Sequence, residues 1–227
     1  MLSTGDTLST PTNWQTWIEH PERLWLRRLM FQLHFWVGAA VSAYVFLMAV
    51  TGSIIVFRDQ LAPFFSVEKV GRLHRDWLAG PGGLAVNAVG AISVLVLSVS
   101  GAVIWWPGRR HWRRSLTIEW HARFPRLTWD LHSAVGFWFL PFVVTWGLSG
   151  WYLAQPQFFD RVRQFDPSDQ YVDTVLYALS ALHFGRFNTV TQLVWAVAGV
   201  ALAALAFSGL FICCRRVIWG KPSRPTS

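Results

Sequence analysis

The sequence predicts an all-α membrane protein: a bundle of four transmembrane helices built from two repeated two-helix hairpins, with the N and C termini cytoplasmic. Three observations carry that reading. Charged residues make up only 14% of the chain, against about 25% in soluble domains, while 53% of it is hydrophobic. Four apolar segments each reach the roughly twenty residues of helix that a hydrocarbon core of about 30 Å requires. The dipeptide Leu-His occurs four times, each time just before or at the opening of one of those segments.

Residues 1–20 are polar and read as a flexible cytoplasmic N-terminus. They show no basic stretch followed by an apolar run, so no cleavable signal peptide is expected, and the first span serves as signal and anchor. Pro21 suits a first helical turn. The stretch "PERLWLRRLMFQL" is therefore expected to extend the first helix into the cytoplasm or along the interface, with Arg23, Arg27 and Arg28 at the headgroups. The first span covers about 34–57. The following loop, 58–82, runs into "WLAGPGG" (77–83), where Gly80 and Pro81 break or kink a helix. The second span covers 83–106, the third 133–153 and the fourth 191–214. Together 21–216 form one transmembrane domain, and 217–227 a cytoplasmic tail. None of the four segments alternates strictly, and each is about twice the length of a transmembrane strand, which argues against strands. Cys213 and Cys214 are adjacent and make no disulfide framework.

Basic residues orient the bundle. The N-terminal segment, the loop 107–131 and the C-terminal tail hold three, six and four of the 20 Lys and Arg; the other two loops hold four and three. The positive-inside rule puts the first group in the cytoplasm. Aromatics border the same segments, with Trp25, Trp36, Trp105, Trp106, Trp129 and Trp151 suited to interfacial belts. A net charge of +8 spread beside apolar segments, rather than over one polar domain, points to the lipid bilayer and not to nucleic acid as partner.

The Leu-His pairs place His34, His74, His132 and His183 at the four spans, and each span carries a small-Gly pair: Thr51-Gly52, Ser100-Gly101, Ser149-Gly150 and Ser208-Gly209. From histidine to glycine the separations are 18, 27, 18 and 26 residues. Spans one and three match, as do two and four, so the chain reads as two copies of one hairpin related by an axis along the membrane normal. That symmetry pairs His34 with His132 on the cytoplasmic side and His74 with His183 on the other.

Ionisable groups at membrane depth are costly and mark functional sites. His20, His111 and His121, outside the repeat, read as polar caps or headgroup contacts. Two imidazoles without an accompanying thiolate or carboxylate cluster suit the iron of a haem, whose porphyrin supplies four further nitrogens; zinc and copper recruit more protein ligands. Gly38 and Gly136, one turn from His34 and His132, would let a flat macrocycle approach the backbone, or serve helix packing. The predicted site is thus two haems, with His34 and His132 as axial ligands at the cytoplasmic side and His74 and His183 at the opposite side. Two other readings stay open: a histidine-based metal transport path, and a structural or assembly subunit of a larger membrane complex. Asp130 reads as an interfacial group or a support to a ligand.

The stretches "LHFWVG", "TGSIIVFRDQL", "LHRDWLAGPGG", "SGAVIWWPGRR", "WDLHSAVGFW", "LHFGRF" and "SGLFICCRR", spread over residues 24–216, resemble the PepSY-associated transmembrane helix family, which includes haem-containing inner-membrane reductases of ferric-siderophore complexes. The resemblance implies a four-helix haem b protein of the bacterial inner membrane. It would move electrons to a periplasmic acceptor such as ferric iron or a partner redox protein, as a ferric reductase or an electron-transfer subunit. Carried over, the family's histidines fall on His34, His74, His132 and His183. The large portion that bigger members carry between the first two spans has no counterpart in 58–82. No Gly-rich dinucleotide fingerprint occurs, so a quinol or a cytoplasmic flavoprotein is the expected donor.

Overall fold

A computed structural model describes residues 13–19, 24–108, 112–155, 157–158, 160–161, 170–185 and 187–219. Among them all regular structure is helical. The helices are α1 (Asn13–Glu19), α2 (Trp25–Val56), α3 (Arg58–Leu61), α4 (Val67–Asp76), α5 (Pro81–Trp105), α6 (Phe124–Ala154), α7 (Gln170–Phe184) and α8 (Thr189–Trp219), with one 3₁₀ turn at Arg114–Leu116. Four of these, α2, α5, α6 and α8, are long and apolar enough to cross a membrane. Pro21, Arg23, His20, His111 and most of the tail lie outside the described residues.

The helices exceed the apolar segments that announce them. Helix α2 begins at Trp25, α6 at Phe124, and α8 runs on to Trp219. Arg27, Arg28, Arg126 and Arg216 occupy these added turns. The extension of the first helix expected before His34 is one continuous helix with the span.

Helix α2 packs along α5 and α8, and α6 packs along the same two, so α2 and α6 stand diagonally opposite in a four-helix ring. Helix α4 lies against α2 and α5, and α7 against α6. The buried positions are mostly small, among them Ser42, Ala49, Thr51, Ala88, Ala91, Ser98, Ala134 and Ala198, with Ser100 and Ser149 wholly enclosed. Large apolar side chains such as Trp36, Val89, Val99, Trp138 and Phe207 point outward. That is the arrangement of a bundle whose solvent is lipid, where close backbone approach rather than an oily core holds the helices together. Pro141 inside α6 is compatible with a membrane helix, where neighbours re-satisfy the freed carbonyl.

The histidine-bearing helices α4 and α7 are separate from the spans that follow them. Between α4 and α5, Trp77 and Leu78 both take left-handed backbone angles, φ 56° and 59°, a conformation that costs a bulky residue about 1 kcal/mol or more. Asp76 holds the turn: its carboxylate accepts from the Leu78 N–H at 3.1 Å and its carbonyl from the Ala79 N–H at 2.8 Å. Pro81 then opens α5. Between α7 and α8 the break falls at Gly185, φ 57°, where a Cβ would collide with the Trp195 indole.

Both breaks are tied from the next span. Asn87, buried in α5, donates to the carbonyls of His74 (2.8 Å) and Arg75 (2.7 Å) and accepts from the Trp77 indole N–H at 2.8 Å. Trp195 in α8 donates to the carbonyl of Leu182 at 2.8 Å. Asn87 and Trp195 each stand 14 residues before the glycine of their own span, so one repeat position does the same work twice with different chemistry.

Candidate functional site

At the end where α2 begins and α8 finishes, here called the basic end, His34 of α2 faces His132 of α6 across the diagonal of the bundle. Their ring centres are 6.4 Å apart and the planes cross at 82°. At the opposite end His74 of α4 faces His183 of α7, with centres 6.3 Å apart and planes at 57°. The structure therefore brings the four repeat histidines together as the two predicted pairs. Among the described residues no group of three or more His, Cys, Asp or Glu gathers at either one. His121, in the loop before α6, is exposed and belongs to neither pair.

Each ring is held through Nδ1 by the hydroxyl of a small-Gly pair on another helix. Nδ1 of His34 lies 3.0 Å from Ser100 Oγ, His74 2.9 Å from Thr51 Oγ1, His132 2.9 Å from Ser208 Oγ and His183 2.8 Å from Ser149 Oγ. The glycine that follows each hydroxyl lies under the same ring. A Cβ on Gly52, Gly101, Gly150 or Gly209 would stand 3.2, 3.2, 3.8 or 3.1 Å from the Cε1 of that histidine. The pairs counted in the sequence are thus histidine seats. Antiparallel packing explains the pairing: 18 residues of helix rise about 27 Å, so the Thr51-Gly52 pair on His34's own helix lies at the far end, beside His74.

Burial pushes His74 down to about 4, against a weaker opposing pull from the Met48 carbonyl, and burial together with the neighbouring His74 pushes His183 down to about 3. Both are neutral imidazoles at ordinary pH. With Nδ1 engaged, Nε2 is the nitrogen left to bind a ligand.

The basic-end pair borders a cavity of about 950 Å³ that extends between the helices toward mid-membrane, at the upper end of the range for ligand sites, about 300–1,000 Å³. Gly38 and Gly136 line it. A Cβ on either would make only ordinary contact, 3.6 Å to Leu97 and 3.7 Å to Leu205, so the space beside them is free. Arg27, Arg28, Arg126 and Arg216 also line it, against one carboxylate, Asp130. Asp130 is paired with Arg126 at 3.0 Å, and Asp76 with Arg75 at 3.0 Å. Arg216 lies over the Phe31 ring at 4.7 Å, and Trp105 stacks on Phe137 at 4.3 Å.

Two buried side-chain nitrogens among the described residues lack a partner, Arg27 Nε and Trp105 Nε1. Both residues line this cavity. Sequence reasoning missed these two donors, the seats, and the Asn87 clasp, because none of them has a spacing within its own helix that announces its partner.

No curated protein matches the chain, and no solved structure does. Residues 63–168 match the PepSY-associated TM region, a stretch that holds His74 and His132 with Ser100 and Ser149, one histidine and one seat from each repeat. The match is narrower than residues 24–216, over which the sequence motifs run; His34 and His183 lie outside it. Four apolar helices and this match to a TM region together make the chain a multi-pass membrane protein, similar over residues 63–168 to the PepSY-associated TM region.

Proposed function

We propose that this chain is a di-haem b protein of the bacterial inner membrane that carries electrons across the bilayer, with His34 and His132 holding one haem and His74 and His183 the other. The observation that carries this is the ring-centre separation. A first-row metal lies about 2 Å from an imidazole nitrogen, and that nitrogen about 1.1 Å from the ring centre. Two imidazoles on opposite sides of one ion therefore have centres about 6.2 Å apart. Both pairs stand within a few tenths of an ångström of that value.

The residues around the basic-end pair fit the rest of the group. Gly38 and Gly136 leave room for a flat ring beside the backbone. Arg27, Arg28 and Arg216 offer charge to two carboxylates, and the unpartnered Arg27 Nε and Trp105 Nε1 offer them hydrogen bonds. An iron with two imidazole ligands supplies one-electron transfer without an open coordination position. The chain's own part is to exclude water with the outward aromatic shell, to keep His74 and His183 neutral by burial, and to hold all four imidazoles through Nδ1.

The reading takes the basic end as cytoplasmic, from the excess of Lys and Arg there. A quinol or a cytoplasmic flavoprotein is then the donor, and ferric iron or a partner redox protein the periplasmic acceptor. An absorption spectrum of the purified protein from haem-replete cells, oxidised and then dithionite-reduced, tests it. Sharp bands of a low-spin b haem at two equivalents per chain are expected. A colourless preparation overturns the reading and leaves metal transport or a structural subunit.

A further inference from the structure

The four hydroxyls that seat the histidines each have a single proton, and each has a carbonyl on its own helix to receive it. Thr51 donates to Leu47 at 2.7 Å, Ser100 to Val96 at 2.6 Å, Ser149 to Thr145 at 2.5 Å and Ser208 to Leu205 at 3.2 Å. Such back-bonding is the usual state of a Ser or Thr in an apolar helix. A hydroxyl that has given its proton away can only accept from the imidazole. The hydrogen on the shared contact then belongs to Nδ1, and Nε2 keeps a bare lone pair. His34 supplies an independent check: its Nδ1 also lies 3.1 Å from the Leu97 carbonyl oxygen, which has no proton to offer.

We infer that Thr51, Ser100, Ser149 and Ser208 are positioning residues that set the Nδ1–H tautomer and the ring plane of each histidine, and so make the two haem sites electronically different. The inference rests on the haem reading above. A hydroxyl already committed backward is a neutral and modest acceptor, so each imidazole stays a neutral ligand rather than drifting toward imidazolate. The glycine under each ring removes the side chain that would otherwise tilt it. What differs between the ends is the crossing of the planes, 82° at the basic end and 57° at the other. Crossed imidazoles donate nearly equally into the two iron d orbitals that lie along their π systems. Those orbitals then stay close in energy, and the ferric signal is more anisotropic for the basic-end pair.

The experiment compares the haem-loaded wild type with Thr51→Val, Thr51→Ser, Ser208→Ala and Ser208→Thr by electron paramagnetic resonance and potentiometric titration. Two low-spin ferric signals of unequal anisotropy are expected. Ser208→Ala should move the more anisotropic signal and raise its midpoint potential, since a ligand that loses its acceptor donates less to iron. Thr51→Val should do the same to the other signal alone. The hydroxyl-keeping variants Ser208→Thr and Thr51→Ser should restore the wild-type values. Loss of one haem in Thr51→Val or Ser208→Ala, rescued by its hydroxyl-keeping counterpart, supports the inference equally. Unchanged signals and midpoints in both hydroxyl-less variants, or defects that a hydroxyl does not rescue, overturn it while the haem reading stands. A wild type without haem overturns the reading itself.

Discussion

Ser208 reaches His132 across 76 positions of sequence, its hydroxyl 2.9 Å from Nδ1, while the His132 ring centre stands 6.4 Å from that of His34. The two ends of the bundle are built to the same plan, with His34 and the Thr51-Gly52 seat about 27 Å apart along α2. That separation makes substitutions at one end separable from those at the other.

His34→Ala and His132→Ala are each expected to lower bound haem from two per chain to one, and the double substitution to do no more than either single one, because both remove ligands of one site. His74→Ala and His183→Ala should remove the other haem. Haem per protein, measured after alkaline pyridine extraction, checks this. Loss of both haems from every single variant would contradict the two-site arrangement.

Arg27→Gln with Trp105→Phe should weaken retention at the basic end alone. Each change removes a donor that has no protein partner, and a lost hydrogen bond to a charged group costs about 1.5–3 kcal/mol, so affinity should fall about tenfold or more. Haem transfer to an apo-acceptor such as apomyoglobin, followed by absorbance, gives the rate.

Asn87→Leu leaves the His74 and Arg75 carbonyls and the Trp77 indole without their partner. Unsatisfied buried groups cost about 1–3 kcal/mol each, so a loss of at least about 2 kcal/mol is expected. The His74–His183 site should be lost first on heating, with the basic-end site outlasting it. Thermal melts followed at the two haem signals resolve the order.

Gly209→Ala should disturb its site while Gly150→Ala should not. The new methyl would stand 3.1 Å from the His132 ring in the first case, which forces the ring to shift, and 3.8 Å from the His183 ring in the second, an ordinary contact. The paramagnetic signal of each end is the readout. Equal effects from both would remove the argument from ring clearance.

Orientation follows from two exposed loop positions in a background lacking Cys213 and Cys214. Phe64 and Trp120 are both well exposed, in the loops at opposite ends of the bundle. Phe64→Cys should react with an impermeant thiol reagent added to spheroplasts, and Trp120→Cys only after lysis. The reverse pattern would invert the assignment of donor and acceptor sides.

The number of spans, their order and the twofold repeat were legible in the chain by itself, because lipid demands about twenty apolar residues per crossing and the Leu-His and small-Gly pairs recur at matched spacing. The helix break before the second span was also legible, from Gly80 and Pro81, whereas the break at Gly185 before the fourth came from the structure. Which hydroxyl meets which histidine was decided only by the tertiary structure: Thr51 serves His74 and Ser100 serves His34 because antiparallel helices bring together residues about 27 Å apart along either one. The same holds for Asn87 and Trp195, two unlike side chains with one task, and for the unpartnered nitrogens of Arg27 and Trp105. Composition and period report which face of a helix is apolar, a property of single helices; a hydrogen bond between helices depends on register and rotation, which exist only once the helices have packed.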